Sequence, residues 1–101
     1  MGASLGWELT PEKLNQALID ASTEGNIDLI KELLDRGADI NQPNIYAQTA
    51  IHEASLRGKT KTVALLLEKG ADVNQTGEFG YTALHLAGNA GHKETVALLL
   101  E

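Results

Sequence analysis

The sequence predicts an all-α solenoid in which short helix pairs stack side by side and are joined by extended turns. Three observations predict it. The chain repeats itself: Gly25, Gly58 and Gly91 are each 33 residues apart, and Gly37 with Gly70, Asn41 with Asn74 and His52 with His85 keep the same interval. Within a copy, Val63, Leu66 and Leu67 recur at the i, i+3, i+4 spacing of one helix face. The chain is 43% hydrophobic but only 4% aromatic, so its core is built from aliphatic runs such as Leu65-Leu66-Leu67 and Leu98-Leu99-Leu100. One helix pair cannot cover its own apolar face. Stacked copies cover one another, which is the logic of a solenoid.

The 101 residues read as a single domain. Residues from about 9 to 41 form a first copy, 42–74 a second and 75–101 an incomplete third. The first copy begins Thr10-Pro11-Glu12, a helix N-cap with proline just inside, and Ile19 stands where later copies have His. Such departures suit an N-terminal capping repeat. Shifted by one period, Trp7 falls opposite Ile40 and Val73, so it is expected to be a core or capping residue. In the second copy Thr49 to Leu56 holds a helix that stops at Gly58, and Thr60 or Thr62 starts the next. Lys69-Gly70 ends that helix, glycine supplying the left-handed conformation of a C-cap. Gly70 to Asn74 and the residues after them read as an extended turn. In the third copy the last helix is expected over Thr95 to Glu101, with Val96, Leu99 and Leu100 left without a following repeat. A fragment of a longer array is the expectation.

The segments Thr49-Ala50-Ile51-His52-Glu53-Ala54 and Thr82-Ala83-Leu84-His85-Leu86-Ala87 resemble the T-P-L-H-x-A motif of the ankyrin-repeat family. Gly91-His92, Gly37-Ala38-Asp39-Ile40-Asn41 and Gly70-Ala71-Asp72-Val73-Asn74 are similar to further signatures of that family. The resemblance runs from about Thr10 to the end. It departs in one respect, Ala50 and Ala83 standing where proline is usual. The resemblance implies structural roles for Thr49, His52, Thr82 and His85, the histidines tying neighbouring turns together by hydrogen bonds. It implies equally structural turn positions for Gly25, Gly58, Gly91, Gly37 and Gly70.

Composition excludes several functions. Net charge is −6 and the eight Lys and Arg are scattered, so no clustered basic face exists for nucleic acid or an anionic membrane. Cysteine is absent, which removes disulfides and thiolate metal sites. No run approaches the roughly 18 apolar residues of a membrane span. Residues 1–10 lack the pattern of a signal peptide, and Gly6 stands where a myristoylation motif needs Ser or Thr. The expectation is an intracellular, cytoplasmic chain. Ser4, Ser22 and Ser55 have no nucleophile context, and the glycines form no phosphate-binding loop. Asp35 with Asp39, and Glu32 with Asp35, read as solvated surface. His52 and His85, one helix-packing distance of about 8–10 Å apart, cannot share a zinc ion. No enzyme, cofactor or metal is expected.

A binding surface remains. Tyr46, Phe79 and Tyr81 fall in the turns before the T-x-x-H motifs. The resemblance makes those turns the fingers that form, with the first helices, a concave binding face. Clustered aromatics on a protruding surface are typical interface anchors; the alternative is that they pack between fingers and stiffen them. Pro43, Ile45 and Gln48 belong to the second finger, Thr76 and Glu78 to the third. Thr23-Glu24, Leu56-Arg57 and Asn89-Ala90 precede the turn glycines. Asp20 and Glu53 occupy the site where the third copy has Leu86, which favours a basic or hydrogen-bond-donating partner; the alternative is that they are only solvated. The expected contact set is Ile45, Tyr46, Gln48, Glu53, Leu56, Arg57, Glu78, Phe79, Tyr81, Asn89 and Ala90, presented rigidly to another protein. Two alternatives stand beside it: self-association through the last helix face, and an engineered scaffold without a natural partner.

Overall fold

Thr10 starts the first helix as its sequence requires. Its hydroxyl accepts a hydrogen bond from the Lys13 N–H at 3.3 Å, and Pro11, with no N–H to satisfy, takes the first helical position. The computed structural model describes residues 10–101, so the expectation for Trp7 lies outside the described residues. Six α-helices follow in order: α1 Pro11–Glu24, α2 Ile27–Asp35, α3 Ala50–Leu56, α4 Thr60–Glu68, α5 Ala83–Asn89 and α6 Lys93–Leu99. One 3-10 turn, Glu78–Gly80, interrupts the third finger, and no strand is present among the described residues.

The helices pair as α1 with α2, α3 with α4 and α5 with α6. Gly25 separates the first pair at φ +77°, and Gly58 and Gly91 do the same at +69° and +80°. Few residues other than glycine adopt that left-handed conformation without cost. Across pairs, α3 packs between α1 and α5 in one row, and α4 packs on α6 in the other. Ala21, Ala54 and Ala87, one period apart, are all buried, and their small side chains let the first-row helices approach. Leu18, Ile30, Ile51, Val63 and Leu66 fill the space between rows and are sealed from solvent. Each such side chain contributes about 1.5–3 kcal/mol through removal of its apolar surface from water.

The third pair differs from expectation in two ways. α6 runs Lys93–Leu99 rather than Thr95 to Glu101, with His92 at its N-cap and Leu100 at its C-cap. Leu99 is buried, 9% exposed, against the neighbouring helices, whereas Leu100 is 66% exposed. Of the three residues expected on an open face, only Leu100 is fully there; Val96 is half-buried.

Candidate functional site

The two described fingers are built by local hydrogen bonds. In the second, the Asn44 side-chain oxygen accepts from the Tyr46 and Gln48 N–H groups at 2.9 and 3.1 Å, and the Asn44 N–H donates to the Gln48 carbonyl. This is the aspect of asparagine that favours turns: a side chain that stands in for backbone. In the third finger the Gly77 N–H donates to the Tyr81 carbonyl at 2.7 Å. Ala47 and Phe79 are held at φ +65° and +60°, where a β-carbon crowds the backbone.

Below each finger sits a Thr-His box. The Thr49 N–H donates to Nδ1 of His52 at 3.0 Å, which places the ring proton on Nε2, and Nε2 donates to the Gln75 carbonyl at 3.0 Å. His52 therefore ties the base of its own finger to the next. Its side chain is fully buried, and burial pushes its pKa below the ordinary value, against the hydrogen bond to Gln75 and the nearby Glu53. In the third copy Thr82 and His85 make the same local bonds at 3.0 Å, but His85 is exposed.

Large apolar side chains are exposed at six places among the described residues, and four of them are on these two fingers. Ile45 is 91%, Phe79 83%, Tyr46 61% and Tyr81 39% exposed. Tyr81 is held between two rings, with Phe79 at 6.2 Å and His85 at 5.5 Å between centroids. The aromatics of the third finger thus form a short ladder from fingertip to α5. Arg57, Glu78, Asn89 and Ala90 are exposed, and Glu53 and Leu56 half-buried.

Gln48 does not join this surface. Its side chain is 7% exposed, and its Oε1 accepts from the Glu78 N–H at 3.2 Å across to the third finger. A β-carbon at Gly77 would collide with that same oxygen. Gln48 is a strut between fingers, not a contact residue. The sequence also left Asn44 and Gln75 without roles. Asn44 carries a turn signal that could have marked it; Gln75 acts through its backbone carbonyl and through an amide donating to the Asn41 carbonyl at 3.0 Å, neither of which side-chain type announces.

The description Ankyrin repeats (3 copies) matches residues 18–101. The chain belongs to the ankyrin-repeat family. No curated relative matches it. In this ankyrin domain α1, α3 and α5 form one row, the second finger lies beside α1 across a shared groove, and Tyr81 of the third finger stacks near His85 of α5. No group of three side chains able to hold a metal ion occurs among the described residues. A groove of about 500 Å³ between α1 and the second finger, lined among others by Pro11, Gln16, Pro43 and Ile45, has Glu12 as its one ionisable side chain. No helix of the described residues is long and apolar enough to cross a membrane.

Proposed function

We propose that this ankyrin domain binds another protein through its second and third fingers and performs no chemistry of its own. Ile45, Tyr46, Phe79 and Tyr81 are the anchors; Glu53, Leu56, Arg57, Glu78, Asn89 and Ala90 surround them. The observation that carries the reading is the concentration of exposed large apolar side chains on two adjacent fingers, while the core aliphatics are sealed. Exposed apolar clusters of this kind mark interaction sites. The left-handed Phe79 adds to it: strain of about 1–2 kcal/mol persists where surrounding structure and function require it. The fingers are already held by the Gln48 and His52 cross-links, so ordering them on binding costs little entropy.

The test compares the chain with its Tyr46→Ala, Phe79→Ala, Tyr81→Ala variant in capture from lysate, followed by titration of each captured protein. Loss of about 2 kcal/mol or more of binding energy, with the helical spectrum intact, supports the finger surface. Unchanged capture removes it. A second reading, self-association, is favoured by Leu100, which is 66% exposed beside half-buried Val96 and Leu98. Sedimentation at several concentrations tests it, and a monomer throughout counts against it.

A further inference from the structure

The charge of the molecule is not evenly spread. The fingers and the row α1, α3, α5 carry five acids, Glu12, Asp20, Glu24, Glu53 and Glu78. Against them stand two bases, Lys13 and Arg57. The opposite row, α2, α4 and α6 with their flanking residues, carries six acids (Asp28, Glu32, Asp35, Glu68, Glu94 and Glu101) and six bases (Lys31, Arg36, Lys59, Lys61, Lys69 and Lys93), and Asp39 and Asp72 lie in the turns that lead from it to the fingers. The negative surplus therefore lies mainly on the fingers and their row, although Glu24, at the far end of α1, shares a groove with Lys59 and Lys61. The ion pair of Arg36 with Glu32 at 3.0 Å is on the balanced side.

The same side bears the apolar anchors. Glu78 is next to Phe79 in the third finger, and Glu53 lies on α3 beside His52, which carries the second finger's Thr-His box. Apolar tips set among acids complement a chain that alternates aliphatic and cationic side chains: the hydrocarbon stems of Lys and Arg lie along Ile45 and Phe79 while their heads reach the carboxylates. We infer that the occupant of the finger surface is a cationic, aliphatic-bearing segment of a partner protein. An acidic segment would place like charges together, and a purely apolar one would leave the carboxylates desolvated without a counter-charge.

This inference rests on the finger surface being the binding site, and the experiment separates the two. The probes are three short synthetic peptides of Leu and Ser combined with Lys, Gln or Glu, titrated against the whole chain by fluorescence anisotropy. The Lys peptide binds tightest and the Glu peptide weakest, and raising the ionic strength from about 0.1 M to about 1 M, which shortens screening from about 10 Å to about 3 Å, weakens the Lys peptide most. The pair Glu53→Gln, Glu78→Gln weakens the Lys peptide by about threefold to tenfold, one or two exposed charge contacts. The control pair Glu68→Gln, Glu94→Gln removes the same charge from the other row and leaves affinity unchanged. Equal weakening by both pairs, equal binding of the Gln peptide, or no binding of the Lys peptide overturns the inference. If Ile45→Ala with Phe79→Ala weakens the Gln peptide while charge is indifferent, the finger surface stands and the cationic partner falls. If that truncation changes nothing with any peptide, the finger surface itself falls.

Discussion

His92 lies directly over Gly58: a β-carbon added at Gly58 would stand 2.5 Å from Nδ1 of the His92 ring. The ring is fixed there because its Nε2 donates to the Leu56 carbonyl at 2.8 Å, two residues before that glycine. One period earlier a β-carbon at Gly25 would stand 3.2 Å from the Lys59 stem, and one at Gly91 would meet no non-neighbouring atom of the described residues within 4 Å. The three glycines share a left-handed φ, so they separate backbone strain from steric collision.

Gly91→Ala is expected to cost only the left-handed penalty, about 1–2 kcal/mol. Gly58→Ala adds the collision with a ring that is hydrogen-bonded and cannot swing away freely, and about 1–3 kcal/mol more is expected from overpacking. Urea denaturation of both variants checks the order. Equal losses would mean that the His92 ring gives way without cost.

Ala47 occupies the finger position that Gly80 holds one period later, and both are left-handed, at φ +65° and +75°. Ala47→Gly relieves strain of about 1–2 kcal/mol and returns about 0.4–1 kcal/mol as unfolded-state entropy, leaving a net gain of about 0.5–1 kcal/mol. The urea midpoint should rise. A fall would show that the alanine methyl makes contacts worth more than its strain.

Ser22 and Ser55, one period apart, bury hydroxyls that have no hydrogen-bond partner. Replacing a buried, unpaired hydroxyl by hydrogen removes a desolvation cost of about 1–3 kcal/mol. Ser55→Ala is therefore expected to stabilise the fold, or at worst to leave it unchanged. Clear destabilisation in urea would reveal a bond to this hydroxyl in solution.

The His52 imidazole titrates below its ordinary value of 6.5 because burial disfavours its charged form. In the unfolded chain it takes up a proton near that ordinary value, whereas the folded chain resists. Stability is fully present above about pH 7 and declines as pH falls through about 6.5 toward the folded pKa. Urea midpoints between about pH 8 and about pH 5 should drop for the native chain and less steeply for His52→Gln. Parallel slopes would remove His52 as the cause.

Fingertip and core substitutions should divide cleanly. Ile45→Ala and Phe79→Ala, at 91% and 83% exposure, are expected to shift stability by no more than about 0.5 kcal/mol. Leu66→Ala, fully buried between rows, is expected to cost about 2–5 kcal/mol. Circular dichroism with urea titration measures all three. A large loss at Phe79 would make it a structural residue.

Much of this molecule is legible in its sequence. The 33-residue period, the N-cap at Thr10, the helix stops at the repeated glycines and the aliphatic face of α4 all depend on residues close in sequence, and local propensity decides them. The fingers are legible through the family resemblance, which makes them the turns that hold Tyr46, Phe79 and Tyr81 before the T-x-x-H boxes. The tertiary structure alone decided what each side chain meets one repeat away. Gln48 turned inward to Glu78, His92 came to rest on Gly58, His52 found the Gln75 carbonyl, and Leu99 was covered while Leu100 was not. Those contacts join residues 23 to 36 positions apart, and their geometry follows from how helix pairs seat on one another. Residue type sets what a side chain can bond or bury; only the stacking of one repeat against the next sets which partner stands within reach.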